Sequence, residues 1–327
     1  MNAVVSLGVP VYNGETFLRG ALESIVGQTF PDLDIIVVDN ASTDGTEDIC
    51  REFAGRDARI RYHRLPKNIG AAPNFNHAFG LSRSPYFKWC AHDDLISPNF
   101  VERCVAALEA RPDAVLAFGR TEVIDDYGDH VDWPEEGFMP ALESDSPAER
   151  FGEAIRRAGT CFPIFGLFRS DALRRSTLHR PYYGSDRALI AEAALLGKVI
   201  LVEDAVFYNR HHSKRSIVMN DHAARRAWQS AESARKLAGE HLGYTKHLFE
   251  IALRHGDVAS RPAAFGEVAK TRLAPRFIPR YALDVLRFAS PSAAARMRDA
   301  WVRTFRRNDG LSNASAPEGS SHSDRPS

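Results

Sequence analysis

Residues 86–98 read Tyr86-Phe-Lys-Trp-Cys-Ala-His-Asp-Asp-Leu-Ile-Ser-Pro98, and their reading decides the fold. Tyr86 to Ala91 is a short apolar run that suits a strand, and it stops at two adjacent carboxylates, Asp93 and Asp94. A helix start is predicted at once: Ser97 can cap, and Pro98 suits a first helical turn because its missing N–H has no partner there anyway. In an open α/β sheet the carboxyl end of a strand is where ligands collect. Two carboxylates side by side repel each other, which is tolerable when a divalent cation sits between them and a phosphate. By itself the pair also reads as an exposed acidic turn; the flanking segments decide between the two.

Upstream, Ala3 to Val11 is rich in β-branched residues and suits a buried strand. Tyr12-Asn13-Gly14 breaks it, with Asn13 able to cap a helix whose apolar face is Phe17, Leu18, Ala21, Leu22, Ile25 and Val26. Ile35 to Asp39 is a second strand ending in a carboxylate, and Asp44-Gly-Thr-Glu47 reads as a capping box for the next helix. Ile60 to Leu65 is a third strand, followed by the loop Lys67 to Gly70 and a helix around Phe75 to Leu81. Strand–helix alternation through residue 120 predicts a parallel sheet.

Downstream of the acidic pair, Val101, Val105 and Leu108 give a helix its core face, and Val115 to Phe118 is another strand. Asp125 to Asp145 is acidic, carries Trp133, and reads as an irregular excursion. Helices are predicted from Ser146 to about Ala158 and after Asp171, with a strand at Phe165 to Phe168 between them. Tyr182-Tyr-Gly-Ser-Asp186 enters a helix closed by Gly197, and Val199 to Val206 is a last strand running into Tyr208-Asn-Arg210-His211-His212. From about Asp221 the pattern is helical, and between Arg261 and Arg307 it is strongly basic. The tail from Asn308 is Ser-, Pro- and Gly-rich and predicts disorder.

The 327 residues carry zero formal net charge, which argues against wholesale nucleic-acid binding. Cys50, Cys90, Cys104 and Cys161 are far apart and form no Cys-x-x-Cys pair, so a zinc site or disulfide scaffold is not expected and a reducing cytoplasm fits. The N-terminus reads as a first strand rather than a cleavable leader. Neither a Gly-x-Gly-x-x-Gly nor a Walker loop follows the first strand. Polar residues nevertheless stand at successive strand ends, at Asn13, Asp39, Asp93 and Asp94, and a ligand cleft explains them most simply.

Val9-Pro10-Val-Tyr12-Asn13-Gly14, Val38-Asp39-Asn40-Ala-Ser42-Thr-Asp44-Gly-Thr46, Asn68-Ile-Gly70 and His92-Asp93-Asp94 resemble, in order and spacing, the inverting family-2 glycosyltransferases of the GT-A fold. The resemblance covers roughly residues 3 to 215. It implies an α/β architecture, an open, mixed and mostly parallel sheet flanked by helices, with a C-terminal helical extension. The expected organisation is a catalytic domain over 1–218, a basic helical region over 219–307 and a disordered tail over 308–327. The implied reaction moves a sugar from a nucleoside-diphosphate sugar to a hydroxyl of a saccharide or lipid-linked acceptor, in cell-surface polysaccharide, glycolipid or glycoconjugate synthesis.

Carried over by position, the resemblance places Pro10, Tyr12 and Asn13 around the nucleotide. Asp39 would accept the imide N–H of a uracil or thymine, which favours a UDP or dTDP donor. Asn68 and Gly70 would admit the ribose and base, and Asp93 would face the ribose. Asp94 would bind Mn2+ or Mg2+. Ser42 and Asp44 read as loop braces. Asp186, at a helix N-terminus that favours its ionised form, would be the general base. The segment Tyr208 to Ser213 resembles the family's Arg-x-His region, with Arg210 near the diphosphate and His211 as a third metal ligand; a basic surface loop is the competing reading. Two departures stand out: Ala91-His92-Asp93-Asp94 replaces the commoner Asp-x-Asp-Asp, and Pro73 stands where a basic residue is common.

Two rival activities stand beside this one, a sugar-1-phosphate nucleotidyltransferase and a non-catalytic nucleotide-sugar binding module. The first would want a Gly-rich basic loop after the first strand, which Pro10 to Gly14 is not. In the basic C-terminal helices Tyr281, Val285 and Phe288 make one candidate face and Trp301, Val302 and Phe305 another. These would either pack on the catalytic core or rest peripherally on anionic lipid at the inner face of the membrane.

Overall fold

The computed structural model describes residues 3–133, 140–157, 161–182, 184–212, 228–229, 240–255 and 260–289. The expected boundary at 218, the tail from 308, Tyr183, Lys214, Arg215, Trp301, Val302 and Phe305 lie outside them, as does the side chain of Phe288.

Strands β1 (Val5–Val11), β2 (Leu33–Asp39), β3 (Ile60–Arg64) and β4 (Tyr86–Trp89) are parallel, with β1 between β2 and β4. Side chains alternate across this sheet, so each strand feeds two cores. Val5, Leu7, Val9, Val11, Ile35 and Val37 face one layer, made with α1 (Leu18–Val26) and α4 (Phe100–Ala110). Ile36, Val38, Phe87 and Trp89 face the other, made with α3 (Ala71–Gly80), α5 (Pro147–Arg157) and α7 (Ser185–Leu196). Each large apolar side chain fully buried there contributes roughly 1.5–3 kcal/mol relative to exposure.

The second half makes the sheet mixed. Strand β7 (Leu167–Arg169) runs antiparallel to both β4 and β6 (Ala114–Ile124), while β8 (Lys198–Arg210) is parallel to β6. The strand order is β3-β2-β1-β4-β7-β6-β8-β5, where β5 is the short strand Leu95–Ile96. Strands β6 and β8 both run longer than their apolar cores suggested, because they pair with each other past a bulge all the way to Ile124 and Arg210. The helical extension shares the second core: Leu248, Ile251 and Ala252 of α8 (Glu240–His255) and Ala264 and Val268 of α9 (Arg261–Arg272) pack into it with α7.

Several local expectations are corrected. No helix starts at Ser97-Pro98; residues Leu95–Ile96 form the short strand β5 antiparallel to β8, and α4 begins at Phe100. The reason is a better partner for Ser97, whose N–H donates to the Val206 carbonyl and whose Oγ accepts the Val206 N–H. Helix α2 (Thr46–Arg56) has no capping box: Asp44 Oδ1 accepts from the Thr46 N–H and hydroxyl, while Glu47 pairs with Arg51 and Arg64. Asn13 does not cap α1, and Asp171 lies inside the first turn of α6 (Ser170–Arg175) rather than before it. Tyr281, on α10 (Ile278–Ala289), turns inward, its hydroxyl bonded to the Arg272 carbonyl.

Candidate active site

The strand order reverses between β1 and β4, which opens a crevice at their carboxyl ends. The β1–β4 ladder stops at Gly8 and Trp89, after which the two strands diverge. Pro10, inside β1, therefore lacks its N–H on a stretch where β4 no longer asks for one. It is a strand residue beneath the crevice. Tyr12 stands at its mouth, 41% exposed, and Asn13 is exposed in the left-handed region at φ 51°.

The loops around the crevice are laced to one another. Asn13 N–H donates to Ser42 Oγ at 2.9 Å, and Asn13 Oδ1 accepts the Thr43 N–H at 2.9 Å. Gly14 N–H donates to Thr46 Oγ1 at 2.8 Å. A β-carbon on Gly14 would come within 2.8 Å of the His92 ring, so glycine is what lets the first loop lie against the acidic one. Ser42 and Asp44 brace these loops, as their position in the motif suggested.

Asp39 ends β2 fully buried. Its Oδ1 accepts the Ser42 N–H and its Oδ2 the Tyr62 hydroxyl, both at 2.8 Å, with Arg64 Nε 3.6 Å away. Burial and the Asp39 carboxylate push the Tyr62 phenol up, so it stays protonated and is the donor. Asn68 and Gly70 are held by Asn40, to which sequence reading assigned no role. Asn40 Nδ2 donates to Asn68 Oδ1 at 3.0 Å and to the Gly70 carbonyl at 3.3 Å, and its Oδ1 accepts the Ile69 N–H at 2.8 Å. Gly70 itself has φ 91°, a conformation that favours glycine.

Across the crevice the end of β8 closes on the acidic pair. Asp94 is buried, and its Oδ1 accepts Asn209 Nδ2 at 3.0 Å and the Arg210 N–H at 2.8 Å. Burial and the neighbouring Asp93 push Asp94 well above the carboxylate range. Asp93 Oδ2 lies 2.9 Å from His212 Nε2. Burial works against its charge too, but His92 and the His212 hydrogen bond bring the Asp93 carboxyl below its usual value. Asp94 Oδ2 takes no hydrogen bond among the described residues. An open oxygen on a buried carboxylate beside a second carboxylate suits a divalent cation. Among the described residues no three His, Cys, Asp or Glu side chains converge as a ready-made metal cluster.

At and just beyond the end of β8, Arg210 and His211 take different partners. Arg210 is buried, its Nε on the Asp93 carbonyl at 2.9 Å and its Nη1 on the Asp125 carbonyl at 2.8 Å, over the Phe17 ring. It ties the β6 end to the acidic loop. The His211 ring packs edge-on against Trp133, 4.3 Å between centroids, and it is His212 that reaches the acidic pair. Period-two alternation along β8 carries the signal for this: Arg210 and His212 share a face and His211 has the other.

Asp186 lies in the first turn of α7, half-buried, with its Oδ1 accepting the Arg187 N–H at 2.9 Å. Gly184, at φ 91°, forms the N-cap. The segment before it reaches the crevice wall through His179, whose ring packs 4.8 Å from Trp89 at the end of β4. Asn76 of α3 holds the His179 backbone at both ends, at 2.8 and 3.0 Å. The His179 ring, which stands against Trp89, also feels the Asp186 charge, so the start of α7 lies near this wall.

A mixed, mostly parallel sheet with helices on both faces, a crevice at the β1/β4 reversal and an acidic pair beneath it define the GT-A class of fold. Residues 6–175 match the family described as glycosyl transferase family 2, and this chain belongs to that family. It is similar to the putative glycosyltransferase EpsH of Bacillus subtilis, 31% identical over 147 residues, which is 42% of each chain. An uncharacterized glycosyltransferase of Rickettsia felis is 32% identical over 128 residues, 38% of this chain and 21% of the relative. The matches therefore span well under half of these relatives' lengths. Among solved structures, Staphylococcus aureus TarS 1–349 in complex with UDP superposes with a TM-score of 0.59 at 16% identity, covering 84% of this chain and 71% of that one. The mannosyltransferase PcManGT from Pyrobaculum calidifontis, in complex with GDP-Man and Mn2+, gives 0.52 at 19% identity, covering 94% and 89%. These two likenesses speak for the fold.

Proposed function

We propose that this chain transfers a sugar, with inversion, from a nucleoside-diphosphate sugar to an acceptor hydroxyl. The observation that carries the reading is the Asp93–Asp94 pair at the β1/β4 crevice, Asp94 buried and with one oxygen left open. Mn2+ or Mg2+ would be held by Asp94 and supply charge stabilisation to the departing diphosphate, keeping diphosphate and water oxygens as its other ligands. The 39–42 and 68–70 loops would hold the nucleotide, with Asp39 selecting a pyrimidine base as in UDP or dTDP. Tyr12 and Asn13 would border the same nucleotide. Asp93, fixed by His212, would face the ribose. Arg210 and Asn209 keep the acidic loop in place. Asp186 would take the proton of the acceptor hydroxyl as that oxygen attacks the anomeric carbon and the bond to the diphosphate breaks.

A thermal-shift panel of UDP-, dTDP- and GDP-sugars with Mn2+ tests the donor class. Slow metal-dependent hydrolysis of the best-bound donor, with no acceptor added, separates an enzyme from a binding module. No shift with any of them would overturn the reading.

The acceptor would be a saccharide or a lipid-linked saccharide, met in the cytoplasm. No helix among the described residues is long and apolar enough to cross a membrane. On α10, however, Ile278 and Val285 are 60% and 56% exposed, and with Ala282 they make one stripe at helical spacing. An exposed apolar stripe in so basic a stretch matches an anionic lipid surface. Co-sedimentation with phosphatidylglycerol vesicles at low salt, released at high salt, is expected; no binding at low salt ends this part of the proposal.

A further inference from the structure

Five side chains, Glu192 and His247 among them fully buried, form one continuous chain of hydrogen bonds between α8 and the segment leading into Asp186. His255 Nε2 meets Glu192 Oε1 at 2.6 Å, and Glu192 Oε2 accepts the Thr177 N–H and hydroxyl at 2.8 and 2.6 Å. Thr177 Oγ1 meets His247 Nε2 at 2.8 Å, and His247 Nδ1 meets the Tyr182 hydroxyl at 2.7 Å. All five residues lie beyond residue 175, where the family match ends. We propose that this chain is a positioning device, which fixes the 177–186 segment and through it Asp186, and makes α8 a working part of the catalytic unit. The inference rests on the reading of Asp186 as the base.

The protons in the chain have only one consistent direction. Glu192 is fully buried; burial would raise its carboxyl, but the His255 and Thr177 hydrogen bonds hold it below the usual range, so it is an acceptor only. The single Thr177 hydroxyl proton therefore points to Glu192, and the Thr177 oxygen must accept from His247 Nε2–H. That leaves His247 Nδ1 bare, to accept the Tyr182 O–H. Reversing the last bond would require Thr177 to donate twice. Burial keeps His247 neutral and Tyr182 protonated, which this direction needs. A chain whose every donor is assigned holds one loop conformation.

The loop it holds does not relax there unaided. Leu178 sits in the left-handed region at φ 54°, as does Cys161 at φ 66°, and each costs a non-glycine residue on the order of 1–2 kcal/mol. Thr177 is tied to Glu192 on one side of Leu178, and His179 is tied to Asn76 on the other. Arg180 pairs with Glu250 of α8 at 2.5 Å. Tyr182 then passes the constraint onward, because its carbonyl accepts the Ser185 N–H at 3.3 Å, one residue before Asp186.

The test uses the full chain and four variants: Tyr182→Phe, His247→Leu, His247→Gln and Asp186→Asn. Glutamine can accept from Tyr182 and donate to Thr177 as the imidazole does. Amide exchange in 177–187 is expected to quicken at least about 10-fold in Tyr182→Phe and His247→Leu, with β1 and β2 unchanged, and to return towards wild type in His247→Gln. Turnover of UDP-glucose, UDP-N-acetylglucosamine or GDP-mannose, whichever the wild type hydrolyses fastest with Mn2+, is expected to fall about 10- to 100-fold in the first two at unchanged donor KM. Exchange within about twofold of wild type in Tyr182→Phe and His247→Leu would overturn the proposal, as would a loosened loop with full turnover. Full turnover in Asp186→Asn, whose exchange is expected to match wild type, would instead overturn the base assignment on which it rests.

Discussion

Replacing Asp39 by asparagine separates two jobs that the geometry gives one carboxylate. Asp39 accepts the Ser42 N–H and the Tyr62 hydroxyl at 2.8 Å each, with no solvent contact. Asparagine has the same shape but no charge, and only one of its two polar ends accepts. With its oxygen on the Ser42 N–H, its amide faces Tyr62, whose oxygen must then turn from donor to acceptor. Each charge-assisted bond becomes a neutral one or is lost, at about 1 kcal/mol apiece. The half-exposed Arg64 at 3.6 Å adds little. The expected loss of about 2 kcal/mol corresponds to a Tm lower by roughly 3 °C for a chain of this size. Thermal unfolding with and without UDP reads both jobs at once. If Asp39 also reads the pyrimidine imide, the variant's affinity for UDP falls at least about tenfold, which is about 1.4 kcal/mol. A Tm within about a degree of wild type would refute the hydrogen-bond reasoning. An unchanged UDP affinity would refute the base-reading role alone.

Asp186→Asn is expected to lose about 10²- to 10⁴-fold in turnover while still binding the donor, measured as kcat beside a UDP titration. Asp94→Ala should abolish metal-dependent turnover; a variant equally active with and without excess EDTA would contradict the metal role. Stability should fall with acid through two buried histidines. Burial lowers His247 and His179 from 6.5 to about 4, with Arg180 lowering His247 further, Glu192 and Glu250 opposing, and Asp186 opposing at His179. The unfolded chain therefore binds protons that the folded chain refuses, so stability is complete above 6.5 and declines as pH falls towards 4, by about 1 kcal/mol per histidine at pH 5.5. Urea midpoints at about pH 7.5 and 5.5 measure this, and His247→Gln should lose about 1 kcal/mol less over that window than wild type.

Much of the first half was legible because its signals are local. Mostly apolar runs at 5–11, 33–39 and 86–89, broken only by Ser6, Asp34 and Lys88 besides the terminal Asp39, suit strands buried on both faces, and each leads to a polar residue because the chain leaves the core there. What sequence reading put in the wrong place depended on partners far along the chain. Ser97 reads as a cap until Val206, 109 positions away, offers its backbone. Asn40 was one letter of a motif until the 68–70 loop folded back onto it. His211 and His212 were separated by the pairing of β8 with β6, which sets the face each ring takes. The Glu192–His247–Tyr182 chain has no sequence pattern at all, since its members come from α7, α8 and the loop between α6 and α7.

From its sequence alone, then, this chain determined its strands, its helices and the acidic loop at the centre of its site, since backbone propensity and apolar periodicity act over a few residues. Tertiary structure decided which histidine meets Asp93, what holds the 39–42 and 68–70 loops and how α8 is tied to the segment before α7. Those outcomes follow from hydrogen bonds that buried polar groups must find, and the partners they find are set by packing rather than by spacing along the chain.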